Sequence, residues 1–539
     1  MLKNFHFWQM KRAKNPILRG FNPDPSVIRV GDDYYVATST FEWFPGVQIH
    51  HSRDLCNWQL ISRPLSRVSQ LDMIGNPDSC GVWAPCLSYD QGIFHLIYTN
   101  VRLFDGPWKD TPNYLVTTED IRGEWSEPIY LNSSGFDPSL FHDEDGRKWF
   151  VNMIVDHRGS KLFGGVVLQE YDPAAKKLAG PIHYIFEGTE LGCTEAPHLY
   201  KKDGYYYLIL AEGGTEYNHA ITIARSRSIT GPYEVHPDNP LITASHNPEA
   251  PLQKAGHGDI VETQSGDWYA FFLVGRPLTQ RGRCITGRET AIEQIIWEKN
   301  GWPYSATGEK APRLEVPVPG LPAFPFPAEP VRDDFDHQEL NIHFQALRIP
   351  IEENWASLLE RPGYLRLYGR DSLSSFHHQS LLARRVQHFH IEAETCLEFE
   401  PQSFQQMAGL VCYYNTSHWY YLHVAGDEKG RKLLQIISCD KHQVAEPLSS
   451  PIDLTEYGKI YLKVDFNGAA LQFYYGTTPD EWQKAGPVMD GSILSDDYVM
   501  SEGERYRPAF TGAFVGLCCQ DLSGRGSHAD FDWLVYREL

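Results

Sequence analysis

Apolar and polar residues alternate in short runs along the chain, and the runs recur. DPSVIRVGDDYYVATS begins at Asp24, APCLSYDQGIFHLIYT at Ala84, DPSLFHDEDGRKWFVNMI at Asp137 and APHLYKKDGYYYLILA at Ala196. A weaker fifth copy, HGDIVETQSGDWYAFFLV, begins at His257. Each copy sets a small or acidic residue, usually followed by proline, before a short apolar strand. A Gly/Asp turn and an aromatic-rich strand follow, the pattern of a β-hairpin. The copies recur about every 55–60 residues, longer than one hairpin and enough for a four-stranded sheet. Repeats of this length and content predict propeller blades, and five copies predict five blades around one axis.

The C-terminal part carries a strict period of two. Ile460, Leu462, Val464 and Phe466 alternate with Tyr461, Lys463 and Asp465, then Asn467-Gly468 gives a turn and LQFYY a second strand. That is a hairpin with one buried face. Similar strands continue to the end, so a β-sandwich of about 200 residues is expected. No long segment shows a helical period. Between the two patterns, Val316 to Pro330 reads VPVPGLPAFPFPAEP. Proline at nearly every second or third place excludes helix and central strand and predicts a stiff, extended connector. The expected organisation is an all-β chain: a propeller over residues 1–320, a linker over 321–332 and a sandwich over 333–539.

Composition narrows the partners. Asp and Glu number 69 against 48 Lys and Arg, a formal charge of -21. That balance argues against nucleic acid, whose phosphates demand basic surfaces, and suits a neutral substrate. No run of about 18 apolar residues predicts a membrane span. The first residues, MLKNFHFWQMKRAKNP, lack the continuous apolar core of a secretory signal. Ten scattered cysteines show neither Cys-x-x-Cys nor zinc-ligand spacing, which fits reduced thiols in a cytoplasmic chain. The Gly-rich AEGGT and LFGG stretches lack the lysine and helix of a phosphate loop.

Aligned on their proline, the repeats place Asp24, Ala84, Asp137 and Ala196 at one position and Pro23, Trp83, Phe136 and Glu195 just before it. Blade symmetry then gathers Asp24, Asp137 and Glu195 near one end of the axis. A lone Asp-Pro is ordinary turn chemistry. Three carboxylates in one small volume repel one another and need a reason. Glycoside hydrolysis supplies one: one carboxylate activates water and one protonated carboxyl serves the leaving oxygen. A third can raise the donor's pKa and orient it.

GFNPDPSVIRVGDDYYVATSTFEWFPGVQIHHSRDL, VWAP, FDPSLFHDEDG and TEAPHLYKKDGYYYL together resemble the bacterial β-xylosidases of glycoside hydrolase family 43, and the resemblance extends to FTGAFVGLCCQD near the C-terminus. It implies a five-bladed β-propeller followed by a concanavalin-like β-sandwich, an inverting mechanism, and exo-release of xylose from xylo-oligosaccharides. By the same resemblance Asp24 matches the general base, Glu195 the general acid and Asp137 the carboxylate that tunes the acid. Phe41 and Trp83 match aromatic walls of the sugar pocket, against a reading as propeller core. Arg288, in TGRET, matches an arginine that grips a sugar hydroxyl, against a surface ion pair. Phe510 matches an aromatic lent to the rim by the sandwich, with Phe514 as the competing position. His257 heads the fifth copy, where some relatives hold calcium, although calcium prefers oxygen ligands. No cofactor is expected for the chemistry itself. The expected partners are xylo-oligosaccharide and further copies of the chain. Two other readings stand beside this one: an α-L-arabinofuranosidase on the same scaffold, and a sugar-binding propeller without catalysis.

Overall fold

In the computed structural model the described residues are 11–106, 108–158, 162–500 and 508–539. Five antiparallel sheets stand in sequence order, and each is built from strands of one local stretch of the chain. Blade I runs Ser26–Val30, Asp33–Thr38, Gln48–Ser52 and Gln59–Ser62. The inner strands of blades II to V are Gly81–Asp90, Ser139–His142, Glu195–Lys202 and Gln253–Glu262. Side chains of a strand alternate between faces, so each blade feeds the two wedges beside it. Ile97 packs toward blade III while Leu96 and Tyr98 pack toward blade I. Five apolar wedges result, one between each neighbouring pair, and the fifth joins Val27 and Val36 of blade I to Val261 and Phe271 of blade V. The five-bladed propeller expected from the repeats is therefore present.

Hydrogen bonds complete the ring. Asp259 of blade V accepts from the Val27 amide at 2.8 Å and the Ser26 hydroxyl at 3.1 Å in blade I. Arg12–Lys14 pairs antiparallel with Glu315–Pro317, so the start of the proline-rich segment forms an outer strand of the propeller. Proline is tolerated there because an edge strand leaves one row of donors unused. Asn15 pins this strand pair to blade V through the Ile292 carbonyl (2.8 Å) and the Ile292 amide (2.9 Å). Farther on, the Phe324 amide bonds Asp54 of blade I at 2.8 Å, which docks the connector on the propeller.

Two sheets form the C-terminal sandwich. The Ile460–Asn467 and Ala470–Gly476 hairpin lies in one, with Ile460, Leu462, Val464 and Phe466 all in the sandwich core. The other sheet is apolar on both faces. Leu410, Cys412 and Tyr414 enter the sandwich core, whereas Val411 and Tyr413 pack toward the propeller. The adjacent Cys518 and Cys519 split in the same way, one to each face. This sheet thus carries the joint between the domains.

The joint is also polar at a few buried points. Ala346–Leu347 of the sandwich pairs with Trp43–Phe44 of the propeller. Next to it, fully buried Arg348 donates to the Asn76 carbonyl and to Asp78, both at 2.7 Å. Asp78 also accepts from the Thr416 amide at 3.2 Å. A buried ion pair costs much desolvation, but removing one partner costs more, because the other charge stays buried and alone. Arg348→Ala is expected to destabilise the chain by about 3–5 kcal/mol, read as a lower denaturant midpoint in equilibrium unfolding followed by tryptophan fluorescence.

Candidate active site

The five inner strands enter the ring through the same unusual backbone. Asp24, Ala84, Asp137, Ala196 and His257 have φ of 55°, 31°, 52°, 51° and 46°. These are the five positions that the repeat alignment equates. Left-handed backbone costs a non-glycine residue about 1–3 kcal/mol. The strand register shifts between Trp83 and Cys86 and between Glu195 and His198, so this kink forms a bulge in the ladder. A bulge re-aims side chains, and a proline inside it forfeits no ladder bond. In blades I and III the kinked residue is itself the carboxylate. In blades II and IV it is alanine, and the preceding Trp83 or Glu195 faces the axis.

The kinks open on one cavity of about 490 Å³. Asp24, Asp137, Glu195, Phe41, Trp83, Arg288, His257 and Phe510 all line it. Asp24 and Asp137 are buried, at 5% and 6% exposure. Ser39 donates to one Asp24 oxygen at 2.7 Å, and the other lies 3.8 Å from Arg288 and 3.5 Å from His257. Burial, then the charge of Asp24, raises Glu195 to about 8, against a partial opposing pull from Arg288. Asp137 is held well above the usual carboxylate range, first by burial and then by repulsion from Glu195 and Asp24. The pair therefore retains a proton at neutral pH, which a leaving oxygen can use.

Arg288 is buried beside the carboxylates, away from any surface ion pair. Its guanidinium donates to Thr215 at 2.6 Å and to the Phe510 carbonyl at 3.2 Å, and stacks near the rings of Phe510 and Phe41. Phe510 crosses from the sandwich to this wall, its amide bonded to Ser79 of the propeller at 3.0 Å. Two glycines permit the approach. A Cβ on Gly287 would lie 2.5 Å from the Thr511 carbonyl, and one on Gly512 would lie 2.8 Å from the Thr286 carbonyl. Phe514 points elsewhere and stacks on Trp43, ring centroids 3.7 Å apart.

His257 is pushed down to about 4 by burial, so it is a neutral imidazole near Asp24 at neutral pH. For calcium it offers one nitrogen and a carboxylate already facing a guanidinium. Calcium takes six to eight oxygens, and the described residues around His257 fit it poorly. The described group with metal-ligand spacing is Cys284, Asp496 and Asp497, and Lys254 bonds both of its carboxylates at 2.9 and 2.8 Å. Several lining residues escaped the sequence reading: Phe104, Phe163, Cys193, Thr215 and Glu216. Phe163 opens a blade III strand and the others sit on loops between strands, all outside the repeated motif. Phe136 was visible in the alignment as the residue before Asp137, and its ring meets Trp83 edge-on at 5.3 Å.

Comparison with known proteins decides the family. Residues 13–303 match the model of glycosyl hydrolases family 43, and residues 332–537 match the beta xylosidase C-terminal concanavalin A-like domain. The chain belongs to glycosyl hydrolases family 43. It is a glycoside hydrolase with a propeller and a sandwich. The beta-xylosidase of Bacillus subtilis (strain 168) is 52% identical, over 98% of this chain and all of that protein. Xylosidase/arabinosidase 43B of Humicola insolens is 51% identical, over 98% of each chain. The crystal structure of xylan beta-1,4-xylosidase from Bacillus halodurans C-125 superposes with a TM-score of 0.95 at 55% identity, covering 98% of this chain and all of the other. The family's hydrolytic chemistry needs no cofactor. Among the described residues, no helix is long and apolar enough to cross a membrane.

The wall built by Phe510 has a measurable worth. Phe510→Ala is expected to remove about 1.5–3 kcal/mol of sugar binding, a roughly ten- to 150-fold rise in KM. The circular dichroism spectrum should stay unchanged, and steady-state kinetics on an aryl xyloside checks the rise.

Proposed function

We propose that this hydrolase is an inverting, exo-acting β-xylosidase. It releases D-xylose from the non-reducing end of β-1,4-xylo-oligosaccharides and has a side activity on α-L-arabinofuranosides. The observation that carries the reading is the cavity itself: three carboxylates and several aromatic rings line one space, and the sandwich supplies part of its wall through Phe510. An aromatic face suits the apolar face of a sugar ring, and a pocket walled in this way takes a chain end better than a chain interior. The names of the Bacillus subtilis and Humicola insolens relatives support the substrate class, and the second supports the arabinoside side activity.

Asp24 is the base. It takes a proton from a water that attacks the anomeric carbon opposite the leaving group. Glu195 is the acid and gives its proton to the glycosidic oxygen as that bond breaks. Inverting enzymes hold these two carboxyls about 6.5–9.5 Å apart, which leaves room for the water. Asp137 shares the buried proton with Glu195 and keeps the acid protonated until the substrate arrives. Arg288 grips a sugar hydroxyl while its charge faces Asp24. After turnover Asp24 carries a proton and Glu195 lacks one, and exchange with solvent resets both. We read the ten free thiols as those of a cytoplasmic enzyme, and we expect a homo-oligomer.

Inversion and end-cutting have a joint readout. Proton NMR of early xylotetraose hydrolysis should show α-xylose with xylotriose. Early β-xylose would exclude inversion, and early xylobiose would exclude strict end-cutting.

The acid and base separate by leaving group and by pH. An acid acts only while protonated, so kcat/KM should fall as pH rises through about 8, the value to which burial lifts Glu195. Glu195→Ala should lose roughly 10²–10⁴-fold on xylobiose and far less on an aryl xyloside with an acidic leaving group. Asp24→Ala should lose comparably on both, since both need activated water. The same loss pattern in the two variants would exclude these roles.

A further inference from the structure

A second cavity, of about 450 Å³, lies at the domain joint and shares six lining residues with an adjoining recess of about 20 Å³. His50 of blade I and Arg384, Arg385 and His343 of the sandwich line the recess. Arg385 and His50 are more than nine-tenths buried. Arg385 donates to the Phe21 carbonyl at 2.6 Å and to Gln48 at 2.9 Å, yet its Nη2 is buried without a partner. The Nε of Arg384 and the Nδ1 of His50 are likewise buried and unpartnered. Arg63 stands behind them, bonded through Nε to the Ile342 carbonyl at 2.9 Å, with both terminal nitrogens buried and unpartnered.

Two carboxylates line the same cavity, and each lies against another basic group. Glu538 pairs with Arg19 at 2.7 Å, and Glu329 lies 3.5 Å from His343. Among the described residues, no carboxylate forms an ion pair with Arg63, Arg384 or Arg385. These cations also oppose one another. Burial, then Arg385 and Arg63, pushes His50 well down, and burial brings Arg63 down to about 9. Folded proteins pair buried charge or surrender it. The Arg384 guanidinium therefore meets a solvent-connected cavity without an ion-paired carboxylate among the described residues, a place suited to an anion.

We propose that the cavity binds a small oxyanion of the phosphate class at the mouth of this recess, held by Arg384 with His50 and backed by the charges of Arg385 and Arg63. Planar guanidinium groups match such oxygens through paired, charge-assisted bonds. Because the propeller contributes His50 and Arg63 and the sandwich contributes both other arginines, the ion would clamp the domains together. The recess also sits behind the sugar pocket: Arg385 holds the carbonyl of Phe21, whose ring meets Phe41 at 5.7 Å.

The test is calorimetric titration of the full chain with inorganic phosphate and, separately, with ribose 5-phosphate, both at ionic strength matched with sodium chloride. A 1:1 isotherm is expected, with a Kd below about 1 mM, together with a melting-temperature rise of about 2 °C or more that sodium chloride does not reproduce. Arg384→Gln and Arg63→Met should each bind at least about tenfold more weakly, roughly 1.4 kcal/mol. If one of them fails to fold by circular dichroism, the other carries the comparison. Tenfold tighter binding of the sugar phosphate would identify an ester as the occupant, and equal binding the free ion. Native chain that gives no isotherm with either probe, or binding unchanged in a folded variant, overturns the proposal.

Discussion

Everything at the centre of this molecule depends on holding three carboxyls beside the Arg288 guanidinium, with Asp24 and Asp137 buried. Such groups repel when ionised and are poorly solvated there, so the ring must force them together and keep a proton among them. The five-fold repetition supplies the force. Each inner strand enters through a left-handed residue, and the apolar wedges on either side leave it no room to relax. Backbone strain of this kind persists only where the surroundings over-determine it. Here the surroundings are wedges of valine, isoleucine, leucine and aromatic side chains.

The second constraint is the joint between the domains. A sheet that buries both faces cannot stand alone in water, so the sandwich is bound to the propeller by its own composition. The apolar contact sets the attraction, and a few buried polar groups set the register. Arg348 reads Asp78 and the Asn76 carbonyl, and the facing Gly287 and Gly512 bring Phe510 against Arg288. The result is a pocket whose walls come from both domains. The cavity is then a property of the assembly: blade strands supply its three carboxylates, and the sandwich supplies Phe510.

The repeats made the propeller legible, because a strand, a turn and an aromatic strand at a fixed spacing leave few other folds. The carboxyl trio was legible for the same reason: equivalent places in a closed ring are near one another. Less was visible of the loops. Phe104, Phe163 and Cys193 reach the cavity from segments that carry no repeat. The choice between Phe510 and Phe514 could not be made along the chain, since both are aromatic and four residues apart. In the structure one faces the sugar pocket and the other stacks on Trp43.

By itself, then, the sequence determined the all-β architecture, the number of blades and the three acidic residues at their entrances, because periodicity and symmetry are properties of a line of residues. Only the tertiary structure decided which residues from unrelated stretches share a space. Arg288 could have been a surface ion pair, and no motif along the chain singles out Arg63, Arg384 or Arg385. Burial beside Asp24 gives Arg288 its meaning, and burial without an ion-paired carboxylate among the described residues gives the other three theirs; both depend on what the rest of the chain packs around them.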